Sequence, residues 1–435
     1  MKIILLFCSD YSVARFCTAR KEFPPLGLLY LAAACQSRGI DVELYDLADL
    51  GEGKIPSGDI IGLSINTSYV YPTFHRRIDE IRCKCKILVA GGQHATIYPE
   101  ETCLELMLDY VLVGEGEYSL PTLIKRCYES NFSTAICDIP DVYSRGNAHF
   151  AQYTEDHRIK DLDILPFPAR HLLPREEILL EKRIPNHNIL STNIITSRGC
   201  PYNCQFCGNV YKGFAFRSAK NVKMEIQTLL NEYPELQGLV FLDENLFFNR
   251  NHAIDIISIM KESNLLWTCN ARVDGYTQDI LPFADSSGCV EIKYGIESGS
   301  QKILNSMKKG ITISDIERTL KKTVEHGIGT KCFLMFGFPG DCIETACCTI
   351  EFLERNRSYI GRVNLFSFSP VPHSPIYKTG ICQNYSWEKY KIYHQLQHWW
   401  GTEKEYQEVK EGYRLLQKYI NENFSEDKNG ESVGC

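Results

Sequence analysis

"NIITSRGCPYNCQFCGN", residues 193–209, joins a strand-like run to a loop that carries Cys200, Cys204 and Cys207 at spacing C-x-x-x-C-x-x-C. A strand running into such a loop places the thiols at the carboxyl end of a barrel strand, where active sites of these folds lie. Three thiolates can bind three irons of a 4Fe-4S cluster and leave the fourth iron open to a substrate or cofactor, whereas a closed electron-transfer cluster takes four cysteines. Zinc is the competing ligand, but structural zinc takes four protein ligands and its cysteines typically come in C-x-x-C pairs. No second pair stands nearby: Cys83 and Cys85 lie far upstream, Cys347 and Cys348 are adjacent, and Cys382 stands alone. The expectation is an open iron–sulfur cluster.

Downstream, the apolar runs "GLVFLDENL", "LLWTCNARVD", "CVEIKYGIESG", "GTKCFLMFGFPG" and "RVNLFSFSPVP" alternate with helix-like segments such as "SAKNVKMEIQTLLNEY" and "SQKILNSMKKG". With the opening strand they make six βα units, which predicts a partial (β/α)6 TIM-type barrel.

Upstream, "KIILLFC", "DVELYDL", "IIGLSIN", "KILVAGG" and "YVLVGEG" also alternate with helical segments, the clearest being "PLGLLYLAAACQSRG", closed by Gly39. Glycine is the preferred residue just past a helix end. This alternation predicts an α/β domain with a doubly wound, Rossmann-like parallel sheet. Ligands of such sheets bind at the carboxyl ends of the strands. Three of those ends are unusual: Asn66, Thr67 and Ser68; Gly91 and Gly92, followed by Gln93 and His94; and Gly114, Glu115 and Gly116. Paired glycines admit close backbone approach to a bulky ligand, and small hydroxyls can bond its polar edge. Ordinary tight turns are the other reading of these loops. No G-x-G-x-x-G follows the first strand, so a dinucleotide site is unsupported.

At 435 residues the chain can bury two sizeable cores. Its net charge of -7 argues against general affinity for nucleic acid. The opening "MKIILLFCSD" is too short for a signal-peptide core, and no run approaches the roughly 18 apolar residues of a membrane helix, so a cytoplasmic protein is expected. Nineteen cysteines, an odd number without a secretory signal, point to reduced thiols and a metal site rather than disulfides. Most, such as Cys35 and Cys289, sit in apolar runs and read as small buried hydrophobes.

The thiol loop, with the aromatic Phe206 before its last cysteine, resembles the radical S-adenosylmethionine superfamily over about residues 190–380. The resemblance implies a 4Fe-4S cluster on the three cysteines, its unique iron chelated by the amino and carboxylate groups of S-adenosylmethionine. "YGIESGS" resembles the fourth-strand segment that contacts this cofactor, making Glu297 and Ser298 candidates. "NARVD" supplies Arg272, "FLDENL" supplies Asp243 and Glu244, and Gly337 in "MFGFPGD" opens a segment resembling the glycine-rich turn near the adenine. The plainer alternatives are an Arg272–Asp243 structural ion pair and a simple turn at Gly337 to Gly340.

The first domain, through "FPPLGLLYLAAACQSRGIDVELYD", "AGGQHATIYPEE" and "YVLVGEGEYSLPTLI", is similar to the cobalamin-binding domain of the cobalamin-dependent radical S-adenosylmethionine class. The strand-end loops then become a corrin and nucleotide-tail site. The D-x-H-x-x-G motif that supplies an axial histidine in other cobalamin proteins is absent, which many members of this class tolerate. His75 is expected on the following helix and His94 in a loop near the corrin or its tail. The implied activity is methyl transfer to an unactivated carbon or phosphorus of a small natural-product metabolite, through a 5'-deoxyadenosyl radical and methylcobalamin, with an external donor such as flavodoxin or ferredoxin. Cyclisation, oxidoreduction or transfer of another S-adenosylmethionine-derived group is the alternative, and a cluster or cobalamin carrier a further one.

The expected layout is therefore 1–135 cobalamin-binding, 136–189 connector, 190–380 radical core and 381–435 helical with a disordered tail. His394 and His398 lie four apart in that last region and read as residues of a packing helix; Trp399 and Trp400 read as capping or lining the barrel.

Overall fold

The computed structural model describes residues 1–9, 23–132, 138–144, 158–211, 213–382 and 395–424. The chain divides into two compact units, the first running from Met1 to Ile178 and the second from Leu179 through the C-terminal helix.

The first unit holds β1 (Lys2–Phe7), β2 (Asp41–Asp46), β3 (Gly58–Ser64), β4 (Cys85–Gly91), β5 (Tyr110–Leu112) and β6 (Val142–Ser144), in the order β2-β1-β3-β4-β5-β6. The first five are parallel and β6 is antiparallel. Alternate residues of β1 feed opposite cores: Ile4 and Leu6 pack with Leu63 and Phe74, Ile3 and Leu5 with Leu28 and Val89. A strand buried on both faces carries a continuous apolar run, and "KIILLF" has one. The order 2-1-3-4-5 is flavodoxin-like, so a crevice opens where the chain reverses between β1 and β3. Strand β6 falls within the stretch expected as connector. Three antiparallel residues are too few to show a period.

The second unit is a six-stranded sheet of β7 (Ser191–Ile194), β10 (Gly238–Phe241), β11 (Leu266–Ala271), β12 (Cys289–Glu297), β13 (Gly329–Phe336) and β14 (Arg362–Ser367). All pairings are parallel and the strands stand in chain order, the expected half-open barrel. A short antiparallel pair, β8 (Ser197–Arg198) and β9 (Ala215–Phe216), was not expected and closes the base of the cysteine loop. On β13 the odd positions Lys331, Phe333 and Met335 are half-buried, while Thr330, Cys332, Leu334 and Phe336 are buried. The buried set faces the helices: on neighbouring β12 the Tyr294 hydroxyl meets Thr323 of the helix Ile313–Glu325 at 2.8 Å.

The final helix, Glu403–Phe424, packs on Ile343–Arg355 and on β14. A Cβ at Gly412 would stand 2.9 Å from the Phe336 ring and 3.2 Å from the Cys342 carbonyl, so this glycine sets how near the helix comes. His394 and the expected tail lie outside the described residues. His398 is half-exposed and stacks on Tyr406 at 4.5 Å.

Candidate functional site

The cysteine loop leaves β7 through Thr196 and Ser197, which are held by Asp243 beyond the end of β10. The Thr196 N–H donates to both carboxylate oxygens at 3.1 Å, the Thr196 hydroxyl donates at 2.8 Å and the Ser197 hydroxyl at 2.5 Å. Asp243 is 1% exposed. Burial pushes its pKa up and the hydroxyl and amide donors oppose that rise. Its contacts brace the root of the loop, and it does not pair with Arg272. A second brace is Arg217, which donates to the Ile195 carbonyl at 2.8 Å and forms a fully buried pair with Glu225.

The loop itself is tied at several points. Gly199 has φ +94, the Gln205 N–H donates to the Met307 carbonyl at 2.9 Å, and the Gln205 carbonyl accepts from the Ile376 N–H at 2.9 Å. A Cβ at Gly208 would lie 2.5 Å from a Val371 methyl, so only glycine fits there. Cys204 is buried, and Cys200 and Cys207 are half-buried. Among the described residues, no three Cys, His, Asp or Glu side chains converge closely enough to hold a single metal ion.

Arg272, just past the end of β11, converges on this loop. Its guanidinium donates to Cys204 Sγ at 3.6 Å, lies 3.7 Å over the Tyr202 ring, pairs with Asp274 at 3.4 Å and donates to the Lys309 carbonyl at 2.5 Å. The Tyr202 hydroxyl donates to the same Asp274 at 2.6 Å, and burial with that bond pushes the phenol well up. A cation aimed at a cysteine sulfur suits a thiolate, which matches the donor chemistry of an iron–sulfur cluster.

At the end of β12 the register slips between Gly295 and Glu297, and Glu297 takes a left-handed φ of +72. This turns its carboxylate back onto Lys309 at 2.7 Å, with side-chain exposures of 11% and 6%. A Cβ on Gly295 would stand 2.8 Å from that carboxylate. Lys309 also lies 5.6 Å over the Phe206 ring, so the candidates Phe206, Arg272 and Glu297 meet through a lysine that the sequence reading missed. Ser298 is buried and its hydroxyl accepts from the Ser300 N–H at 3.1 Å. Gly337, φ +102, donates its N–H to Asp341, while its carbonyl accepts from the Trp400 indole at 2.7 Å.

In the first unit the strand ends after β3, β4 and β5 are laced together. Ile65 N–H donates to the Gly91 carbonyl at 2.8 Å, and the Gly114 N–H to the Thr96 hydroxyl at 2.9 Å. The Glu115 carboxylate accepts from the Ile159 N–H at 2.6 Å, and a Cβ at Gly116 would meet Leu31 at 3.2 Å. Gly92 has φ +105, and a Cβ there would stand 2.6 Å from the Ile65 carbonyl. Asn66 is exposed, Ser64 donates to it at 3.3 Å, and the buried Thr67 hydroxyl has no partner among the described residues. An unmatched hydroxyl beside a glycine cradle fits a ligand with polar amide edges, such as a corrin rim.

His94 lies differently from expectation. It is the second residue of the helix Gln93–Ile97, is 1% exposed, lies 4.3 Å from the Tyr71 ring at a 30° tilt and bonds Ser68 at 3.0 Å. The Gly92 turn carries the chain inward here, and burial pushes the imidazole down to about 3, so it is neutral. His75 lies exposed on the helix Tyr71–Arg76, as expected.

A three-thiol loop at the first strand end of a half-open barrel, faced by a carboxylate–lysine pair at the fourth, defines a radical-generating iron–sulfur domain. The family model of the radical SAM superfamily matches residues 194–353 and that of the B12 binding domain residues 14–124. The chain thus carries a radical SAM domain, which implies a 4Fe-4S cluster and S-adenosylmethionine, and a B12 binding domain, which implies cobalamin. It is similar to an uncharacterised methyltransferase of Pyrococcus horikoshii, 28% identical across 84% of this chain and 81% of the relative. It also resembles the cytidylyl-2-hydroxyethylphosphonate methyltransferase of Streptomyces wedmorensis, 22% identical across 83% of this chain and 78% of the relative. Its fold resembles the radical S-adenosylmethionine methyltransferase TsrM of Kitasatospora setae, with TM-score 0.67, 18% identity, and coverage of 86% of this chain and 76% of that one. No helix among the described residues is long and apolar enough to cross a membrane.

Proposed function

We propose that the protein is a methyltransferase that places a methyl group on an unactivated carbon or phosphorus of a small molecule. The observation that carries the reading is the pairing, in one chain, of the open three-thiol loop with a glycine-cradled crevice at the ends of β3, β4 and β5. When bound, S-adenosylmethionine on the cluster supplies radical hydrogen abstraction and cobalamin supplies a transferable methyl group. Cys200, Cys204 and Cys207 would hold the iron, with the Arg272 guanidinium donating to the Cys204 sulfur. Phe206, Glu297, Ser298 and Gly337 shape the S-adenosylmethionine seat, and Asp243 fixes the loop root. Asn66, Thr67, Ser68, Gly91, Gly92, Gly114, Glu115 and Gly116 form the corrin crevice, and His94 supports it from within the core.

The redox partner would be an external one-electron donor of the flavodoxin or ferredoxin kind, and the cytoplasm suits the many free thiols. The test is anaerobic reconstitution with iron, sulfide and hydroxocobalamin, followed by reduction with S-adenosylmethionine labelled in its methyl group. About four irons, one cobalamin, and both 5'-deoxyadenosine and S-adenosylhomocysteine are expected. A protein that makes 5'-deoxyadenosine but retains no cobalamin would overturn the methyltransferase reading.

A further inference from the structure

Alternation on the barrel strands sends one side-chain set to the helices and the other to the concave face. On that face, Asn270 of β11, Lys293 of β12, Lys331 of β13 and Arg362 of β14 stand in register across four neighbouring strands. Adjacent strands lie about 4.8 Å apart, so three cations form one row. The carboxylate that acts on Lys293 is Glu291, already engaged by Arg362 through bonds of 2.6 and 2.8 Å. Among the described residues neither Lys293 nor Lys331 has an ion-pair partner, and Lys331 instead lies 5.6 Å over the Phe333 ring. Burial, with Lys331 and Arg362 close by, depresses the Lys293 pKa against the pull of Glu291. Uncompensated ammonium groups in a partly buried cluster repel one another, and an anion relieves that repulsion.

Above the row, toward the cofactor end, the same face carries Phe333, Met335 and Phe366. Phe366 is 41% exposed and its ring lies 5.9 Å from that of Phe333. From Lys293 up to Glu297 the strand rises about 10 Å, because the slip after Gly295 sets these four residues of β12 against three of β13, Lys331 to Leu334, at about 3.3 Å per residue. The barrel face thus offers an apolar shelf next to the reacting end and a basic floor one small molecule's length below it.

Resting on the proposed methyl transfer, we infer that the substrate is a small molecule with an apolar, flat or aliphatic body and one anionic group, carboxylate or phosphate-like. Lys293 and Lys331 bind the anion and Phe333 and Phe366 seat the body. The floor sets which end of the substrate faces the radical.

The test measures binding of 2-naphthoate, 2-naphthyl phosphate and uncharged 2-naphthamide to the reconstituted holoprotein by calorimetry. Both anions are expected to bind at least tenfold tighter than the amide, the tighter one naming the anionic group. The variant Lys293→Met/Lys331→Met, of nearly conserved side-chain volume, is expected to weaken the anions about tenfold or more and leave the amide within twofold. Iron content and melting temperature report its folding, and Lys331→Met alone, at a half-buried site, replaces it if the pair does not fold. An amide that binds as well as the anions, or an anion preference that survives the substitutions, overturns the inference. Formation of 5'-deoxyadenosine by the wild-type preparation is scored separately. Its loss would sink the proposed reaction without touching the anion preference.

Discussion

Replacing Lys309 by Met removes one half of the pair that bridges the cysteine loop to the end of β12. The two groups are 2.7 Å apart, with side-chain exposures of 6% and 11%, so water screens them little. Deleting one partner of a buried pair strands the other charge and costs about 3–5 kcal/mol. Lys309→Met is therefore expected to lose about 3–5 kcal/mol of the second unit's stability, and Glu297→Gln a similar amount. The double variant leaves no stranded charge, and it is expected to recover about 2 kcal/mol or more of the summed losses, a coupling of the size that contacting pairs show. Urea unfolding of the four proteins, followed by tryptophan fluorescence, to which the fully buried Trp267 of β11 contributes, reads this cycle. Single losses below 1 kcal/mol, or losses that simply add in the double variant, would refute the argument that a desolvated pair couples the loop to the strand.

Gly92→Ala places a methyl 2.6 Å from the Ile65 carbonyl at φ +105; cobalamin retention should fall at least tenfold while iron content is unchanged, by absorbance and metal analysis of one preparation. His94 is held near pKa 3 in the fold against 6.5 unfolded. The neutral ring's contribution is thus complete above pH 6.5 and is lost as pH falls toward 3, about 2 kcal/mol by pH 5. Denaturation of the wild type from pH 7 to 5 should show this slope and His94→Gln should flatten it. Trp400→Phe removes the indole donor to the Gly337 carbonyl, at 2.7 Å; a stability loss of about 1 kcal/mol and a several-fold rise in the KM for S-adenosylmethionine, with kcat little changed, are expected from steady-state assays.

Both sheets were legible because their strands are buried and long enough to show continuous or alternating apolar runs, and because the helices between them end at glycines such as Gly39. The cysteine loop was legible because its spacing is itself chemistry. The pairings were not. Asp243 and Arg272 follow adjacent strands and are opposite in charge, yet Asp243 serves Thr196 and Ser197 while Arg272 serves Cys204, Tyr202 and Asp274. Lys309 sits in "MKKG", a stretch that reads as an exposed helix end until the turn after Gln301–Ser306 folds it under Phe206. The burial of His94 depends on one glycine's positive φ, which no periodicity records.

The bond from Trp400 to Gly337 spans 63 residues of chain. At a synthesis rate of about 5–20 residues per second, roughly 3–13 s separate the appearance of the glycine-rich turn from that of the indole that fastens it. The three thiols emerge earlier still. Translation therefore delivers the cysteine loop seconds before the turn at Gly337 acquires its C-terminal fastening. On the proposed assignment, the metal-binding segment is made before the turn of the nucleoside seat is fastened.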